Sequence, residues 1–349
     1  MDEAFRAPSR RSVIKTAAAG LGGLIAAGGS IAPALAQQAS QAAAPPAAPP
    51  FWSGEYWAKK GSVDLAIYRK RVGEPQPGEA PRPILVLVHG SSTSAKSSYD
   101  LAVPGHGEYS LMNVFAGYGF DVWTMDHEGY GRSSRTEMNS NIASGVEDLK
   151  AAVQVIERET GQRRYHFYGG SSGALRAGGF AMAAPDRVDR LALEALTWTG
   201  KDSPTLTNRA EQLAYYRSHN RRPRGREMIA SIFTRDKPGT SDPAVAEALA
   251  DTEMVYGDTV PTGTYLDMTA NLPVVDPLRI TQPVIILRGE HDGIATLDDL
   301  LGFYAKLPNP DRQFAILAGA SHAVALGHSR DQLWHALRAF LTMPTHRTV

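Results

Sequence analysis

Short apolar runs bounded by glycine, proline or small polar residues recur along the chain from about Phe51. Pro83-Ile84-Leu85-Val86-Leu87-Val88 is apolar throughout, the pattern of a strand covered on both faces of a parallel sheet. Further strands are expected at residues 119–126, 164–168, 191–196, 283–287 and 313–317. Residues 51–57 and 62–72 read as opening antiparallel strands around the turn Lys59-Lys60-Gly61, and residues 75–83 as a loop. Between these runs the period changes to that of helices. Residues 146–160 carry a stripe of Val146, Leu149, Val153 and Ile156 behind a capping box, Ser144-x-x-Glu147. A second box, Ser329-x-x-Gln332, opens a last helix that turns Leu333, Leu337 and Phe340 toward the sheet. Strands alternating with helices predict an α/β fold.

The strand at 164–168 breaks into Gly169-Gly170-Ser171-Ser172-Gly173 and then into a small-residue helix at 174–182. A strand reversing sharply into a helix strains its apex residue and needs small neighbours, which leaves the apex serine exposed above the sheet. This segment resembles the nucleophile elbow of the α/β-hydrolase family. Four more landmarks extend the resemblance in the same chain order. His89-Gly90-Ser91-Ser92 is similar to the family's oxyanion loop, and residues 126–133 (Asp-His-Glu-Gly-Tyr-Gly-Arg-Ser) to its Asp-x-x-Gly-x-Gly-x-Ser loop. Strand 283–287 runs into Arg288-Gly289-Glu290-His291-Asp292, and strand 313–317 into Gly319-Ala320-Ser321-His322. The resemblance implies an α/β-hydrolase fold, a mostly parallel twisted sheet flanked by helices, with its core at 51–196 and 277–349. A helical cap is inserted at 197–276. In that insert, residues 209–216 and 242–255 look helical, and 221–226 look like a loop.

A serine hydroxyl needs a base within hydrogen-bond reach, and the base needs a group to orient it. By position Ser171 is the nucleophile and His322 the base. Asp292 is the acid, with Glu194 as the rival, because a carboxylate inside a buried strand must be paired or functional. The oxyanion hole is expected from the N–H groups of Ser91 and Ser172. His89 reads as a structural hydrogen-bonder and His291 as pointing elsewhere. No His/Cys spacing indicates a metal site, and no cofactor is expected. The polar loop 91–98 either lines the pocket or is a solvated surface loop. Arg217, Arg221, Arg222, Arg224 and Arg226 form either a carboxylate-binding cluster or a solvated basic face.

The N-terminus changes the picture in one respect. Arg10-Arg11 precede an uncharged apolar stretch that ends in Ala34-Leu35-Ala36, a layout that resembles a twin-arginine export signal at 1–36. An Ala/Pro-rich linker follows at 37–50. The expected partner is therefore the twin-arginine export machinery, the expected destination the periplasm or outside, and no membrane span remains in the mature form. Removing 1–36 takes four basic and two acidic residues from 36 of each, leaving a net charge of −2 and no electrostatic case for nucleic acid. With no cysteine there are neither disulfides nor thiol catalysis. The first reading is an exported hydrolase of a small or medium ester or lactone substrate. The alternatives are a peptidase resembling proline iminopeptidases, which share Gly-Gly-Ser-x-Gly, and a non-catalytic ligand-binding protein on the same fold.

Overall fold

The computed structural model describes residues 50–344. The export signal and all of the linker but Pro50 lie outside the described residues. Ten strands follow in chain order: β1 (Phe51–Lys60), β2 (Val63–Val72), β3 (Ile84–Val88), β4 (Asp121–Met125), β5 (Tyr165–Gly170), β6 (Val188–Glu194), β7 (Arg221–Pro223), β8 (Thr259–Pro261), β9 (Val284–Gly289) and β10 (Arg312–Leu317). Eight form one sheet in the order β1-β2-β4-β3-β5-β6-β9-β10, while β7 and β8 make a separate ribbon. From β4 to β10 all neighbours in this order are parallel, and β2 runs against both β1 and β4.

The apolar run in β3 has a direct structural cause. Ile84, Val86 and Val88 pack with Leu149, Val153 and Phe180, from helices Ile142–Thr160 and Ser172–Ala183. Leu85 and Leu87 face the opposite layer, with Phe115 from Leu111–Gly117 and Leu333, Leu337 and Phe340 from Arg330–Leu341. A strand buried on both sides has no solvent face on which to place polar residues. The whole of β3 is buried, and so is its neighbour β5; β6 beyond it is buried except at Asp189.

Both expected capping boxes differ in the structure. The first long helix starts at Ile142, where the Asn141 side chain accepts the Ser144 N–H at 2.9 Å. Asn141 is extended and one turn earlier, so it captures the free N–H and leaves the Ser144 hydroxyl to Lys60 and Glu128. At the last helix, the Ser329 hydroxyl donates to Ala318 O at 2.9 Å, and the Gln332 amide brackets the same residue. These side chains tie the helix to the loop after β10 that carries His322.

The segment between β6 and β9 holds helices Pro204–Ala210, Leu213–Ser218, Arg226–Thr234 and Pro243–Met254 together with the β7–β8 ribbon. The helix expected at 209–216 is thus two shorter ones, and the expected loop at 221–226 begins with a strand. The arginines there do not form a cluster. Arg226 pairs with exposed Glu247 and Asp251, whereas Arg221 bonds to Thr259 and Gly129 O. Arg222 lies over the rings of Tyr216 and Tyr265, and Arg217 is exposed. Arg224 is buried in an ion pair with Glu253 and also donates to Ser92 O at 3.1 Å. Glu253 in turn accepts from the Ser94 N–H and from the hydroxyls of Ser94 and Ser97. The polar loop after β3 is therefore clamped under the inserted segment rather than solvated.

Candidate active site

Ser171 sits between β5 and helix Ser172–Ala183 at φ 57° and ψ −125°. A non-glycine residue there is strained by about 1–3 kcal/mol and needs its surroundings to hold it. A Cβ on Gly173 would overlap Val88 O and one on Gly169 would overlap Gly173 O, so strand and helix approach as closely as glycine permits. The Ser171 N–H is fixed by Glu194 O at 2.9 Å. The hydroxyl lies 3.1 Å from His322 Nε2, and His322 Nδ1 lies 2.9 Å from Asp292 Oδ1. A carboxylate can only accept, so Nδ1 carries the proton and the Nε2 lone pair faces the serine. Asp292 also accepts the Ile294 N–H at 3.0 Å. Burial pushes its carboxyl up. The His322 ring, its hydrogen bond, the Ile294 N–H and Arg235 outweigh that and hold it below the usual aspartate value.

Gly90 lies flush against the elbow; a Cβ there would stand 3.3 Å from that of Ser171. The backbone N–H groups of Ser91 and Ser172 bond to no acceptor among the described residues. Their side chains are locked together: the Ser91 hydroxyl donates to Ser172 Oγ at 2.7 Å and accepts from Thr264 at 2.8 Å. His89 fixes the loop from behind, with Nδ1 2.8 Å from Gly90 O and Nε2 accepting the His127 N–H at 3.1 Å. Burial first, then His127 and Arg176, keep this imidazole neutral, well below its ordinary pKa. His291 points away, 3.7 Å from Glu290.

Ser171 opens onto a cavity of about 110 Å³ lined also by Tyr168, Glu194, Arg209, Arg235 and His322. Glu194 closes β6 and is buried, but the base bonds to Asp292 instead. Glu194 Oε2 accepts from the Tyr168 hydroxyl at 3.3 Å, and its Oε1 has no partner. Burial, then the nearby Asp292, raise its pKa well above the ordinary value, so the ionised form is disfavoured on this part of the cavity wall. Three polar residues near the base were not singled out in the sequence: Arg209, Arg235 and Asp236. They come from the inserted segment, where a charged residue before Lys237-Pro238-Gly239 reads as an ordinary turn. Asp236, Asp292 and His322 place their donor atoms within 4.8 Å of one another. Two of the three are already bonded to each other, which accounts for the grouping without a metal.

A serine on a strained strand-to-helix turn, faced by a histidine–aspartate pair from the next sheet-edge loops, defines an α/β hydrolase. A family model described as serine aminopeptidase, S33, matches residues 79–327, and the chain belongs to that family. It is 25% identical over 271 residues to 2-hydroxy-6-oxononadienedioate/2-hydroxy-6-oxononatrienedioate hydrolase 2 of Pseudomonas putida, covering 72% of this chain and 84% of that one. A Paraburkholderia phymatum hydrolase of the same name is 28% identical over 141 residues, 38% of this chain; the match spans only 41% of that relative's length. Among solved structures, a 2-hydroxy-6-oxo-6-phenylhexa-2,4-dienoate hydrolase from Rhodococcus superposes with a TM-score of 0.63 at 21% identity, over 84% of this chain and all of that one. A carboxylesterase from Bacillus subtilis gives 0.58 at 18%, over 83% and 92%. At these identities the structural matches establish the fold.

Proposed function

We propose that the protein hydrolyses a small or medium carboxylic ester or lactone through an acyl-enzyme on Ser171. The observation that carries this is the unbroken chain Ser171 Oγ–His322–Asp292, at 3.1 and 2.9 Å, opening onto a cavity. In the first step Ser171 Oγ attacks the carbonyl carbon while His322 Nε2 takes its proton. Asp292 holds the ring and stabilises the imidazolium that forms. The oxyanion is met by the N–H groups of Ser91 and Ser172, whose donors are ready before charge develops. Collapse expels the alcohol, which receives the proton from His322. Water, deprotonated by the same nitrogen, then releases the acid.

The competing reading is amide hydrolysis, which the aminopeptidase of the family description suggests. An aminopeptidase must hold a substrate ammonium, yet the cavity wall carries Arg209 and Arg235 beside Glu194, whose ionised form burial and Asp292 disfavour. That charge pattern favours the ester. A non-catalytic role fits poorly with three complete and connected site residues.

An organophosphonate is expected to modify the protein once, on the peptide containing Ser171, and Ser171→Ala is expected to remove nearly all turnover of a p-nitrophenyl ester series. Labelling at Ser172, or faster cleavage of aminoacyl anilides than of every ester, overturns the reading. We further propose export by the twin-arginine route, supported by Arg10-Arg11 ahead of the apolar stretch. Replacing both arginines by lysine is expected to keep the protein in the cytoplasm, and undiminished periplasmic yield refutes it.

A further inference from the structure

Arg209 stands at the end of helix Pro204–Ala210, and its guanidinium forms no ion pair within 4.0 Å among the described residues. Its Nη1 is buried without a hydrogen-bond partner among the described residues, and its Cζ lies 5.1 Å from the Tyr265 ring centroid. The charged groups that act on it most strongly are two more arginines, Arg235 and Arg222. Burial, then Arg235, lower its pKa to about 10, and it remains charged at neutral pH. Arg235 is the more exposed of the two; it pairs with Asp236 at 3.4 Å and its field also reaches Asp292. Both arginines line the cavity that holds Ser171, and both also line an adjoining one that carries Arg222. This contrasts with Arg224 and Arg69 elsewhere, whose forks are matched to buried carboxylates.

Arg209 buries a guanidinium nitrogen without a counter-charge, which is costly, and the positive charge of the more exposed Arg235 nearby adds repulsion. Such an arrangement persists where a ligand completes it, since a guanidinium fork matches a carboxylate in two parallel bonds. We propose that Arg209 and Arg235 bind a carboxylate carried by the substrate, so that the natural ester or lactone is an anion anchored at one end while Ser171 meets its acyl carbon. This rests on the hydrolase reading but concerns a separate group of residues. Asp236, whose carboxylate lies near that of Asp292 and the His322 ring, pairs with Arg235. Burial and Asp292 disfavour the ionised form of Glu194 on the same wall, which lessens its repulsion of an anion there. A neutral ester of the same length leaves the Arg209 Nη1 without a partner.

The test compares monoethyl esters of dicarboxylic acids, from glutaric to suberic, with neutral ethyl alkanoates of the same chain length. A parallel series places the carboxylate on the alcohol, as acetyl esters of ω-hydroxy acids. Wild-type enzyme is expected to prefer the charged member of at least one pair by roughly ten- to a hundredfold in kcat/KM, the scale of a lost charged hydrogen bond. Arg209→Gln and Arg235→Gln are each expected to shrink that ratio about tenfold, mainly through KM, while Arg209→Lys retains part of it. Equal rates on charged and neutral members of every pair overturn the anion site and leave the hydrolase intact. Calorimetric titration of Ser171→Ala with glutarate separates the two claims in the other direction. Binding that disappears in Ser171→Ala/Arg209→Gln supports the anion site even where no ester is turned over. No binding, with no preference, refutes it.

Discussion

Asp292 and Glu194 end neighbouring parallel strands or the loop beyond them, line one site and are similarly buried, at 3% and 5% exposed, yet their pKa values move in opposite directions. Burial alone pushes both carboxyls toward the neutral form. Asp292 meets an imidazole, a backbone N–H and the field of Arg235, and these overcome the cost of burial. Glu194 meets the phenol of Tyr168, at a long 3.3 Å, and the negative charge of Asp292 itself. Ionising the second carboxyl beside the first would add repulsion at low dielectric. The difference shows that the partners, and not the depth, decide which acid serves as the anion that orients the base.

The largest effect that can break this comparison is on the rate. Asp292→Asn removes the acceptor that fixes the His322 tautomer, and kcat is expected to fall by about 10⁴ with the fold retained. Glu194→Gln keeps shape and neutrality, so kcat should change less than about tenfold. Ester assays of both variants beside circular dichroism check the pair. Similar losses in the two would show that the carboxyls act together and that the assignment of separate roles is wrong.

Glu253 sharpens the comparison as a third buried carboxyl, one that gained a full counter-ion in Arg224. Arg224→Met should lower unfolding free energy by about 3–5 kcal/mol, because it leaves that carboxylate buried beside Ser94 and Ser97 without its cation. Denaturant melts of Arg224→Met and of Arg224→Met/Glu253→Met give the decisive pair of numbers. The double variant should recover much of the loss; if it does not, the arginine acts by packing rather than by charge.

What was legible in the sequence follows from range. The elbow, the strand order of landmarks and the Ser171–His322–Asp292 set were readable because each is announced by neighbours within a few residues. The capping boxes were misread locally, since Asn141 outcompeted Ser144 from one turn earlier. The strand at Arg221–Pro223 depends on Thr259–Pro261, far along the chain, and nothing in the arginine run signals it. Glu194 was visible as an anomalous acid in an apolar strand, but its charge state depends on Tyr168 and Asp292, which only the fold brings near. Arg209 and Arg235 were passed over for the denser run at 217–226, where Arg217 is exposed and Arg221, Arg222, Arg224 and Arg226 engage other partners.

The smallest expected effect is the most discriminating, because the two acids should tilt the pH dependence of stability in opposite senses. Glu194 has a folded pKa raised above its ordinary value of 4.5, so the native protein holds a proton that the unfolded chain releases. Its contribution is complete below 4.5 and is lost as pH rises through the folded pKa. Glu194→Gln carries no such proton. Its stability relative to wild type should therefore grow from about pH 4.5 upward, by as much as about 1.4 kcal/mol per unit, and level off above the folded pKa. Asp292 behaves conversely: its depressed pKa contributes stability present above the ordinary value of 3.8 and lost as pH falls through the folded one. Asp126, raised to about 6 by burial, slopes the same way as Glu194 but is common to wild type and both variants, so it cancels in the differences. Thermal melts of wild type, Glu194→Gln and Asp292→Asn from pH 3 to 9 should then show Glu194→Gln gaining on wild type at alkaline pH and Asp292→Asn gaining on it only in acid. Curves for Glu194→Gln that stay parallel to wild type would mean that Glu194 is ionised in the native state, and the contrast between the two carboxyls would collapse.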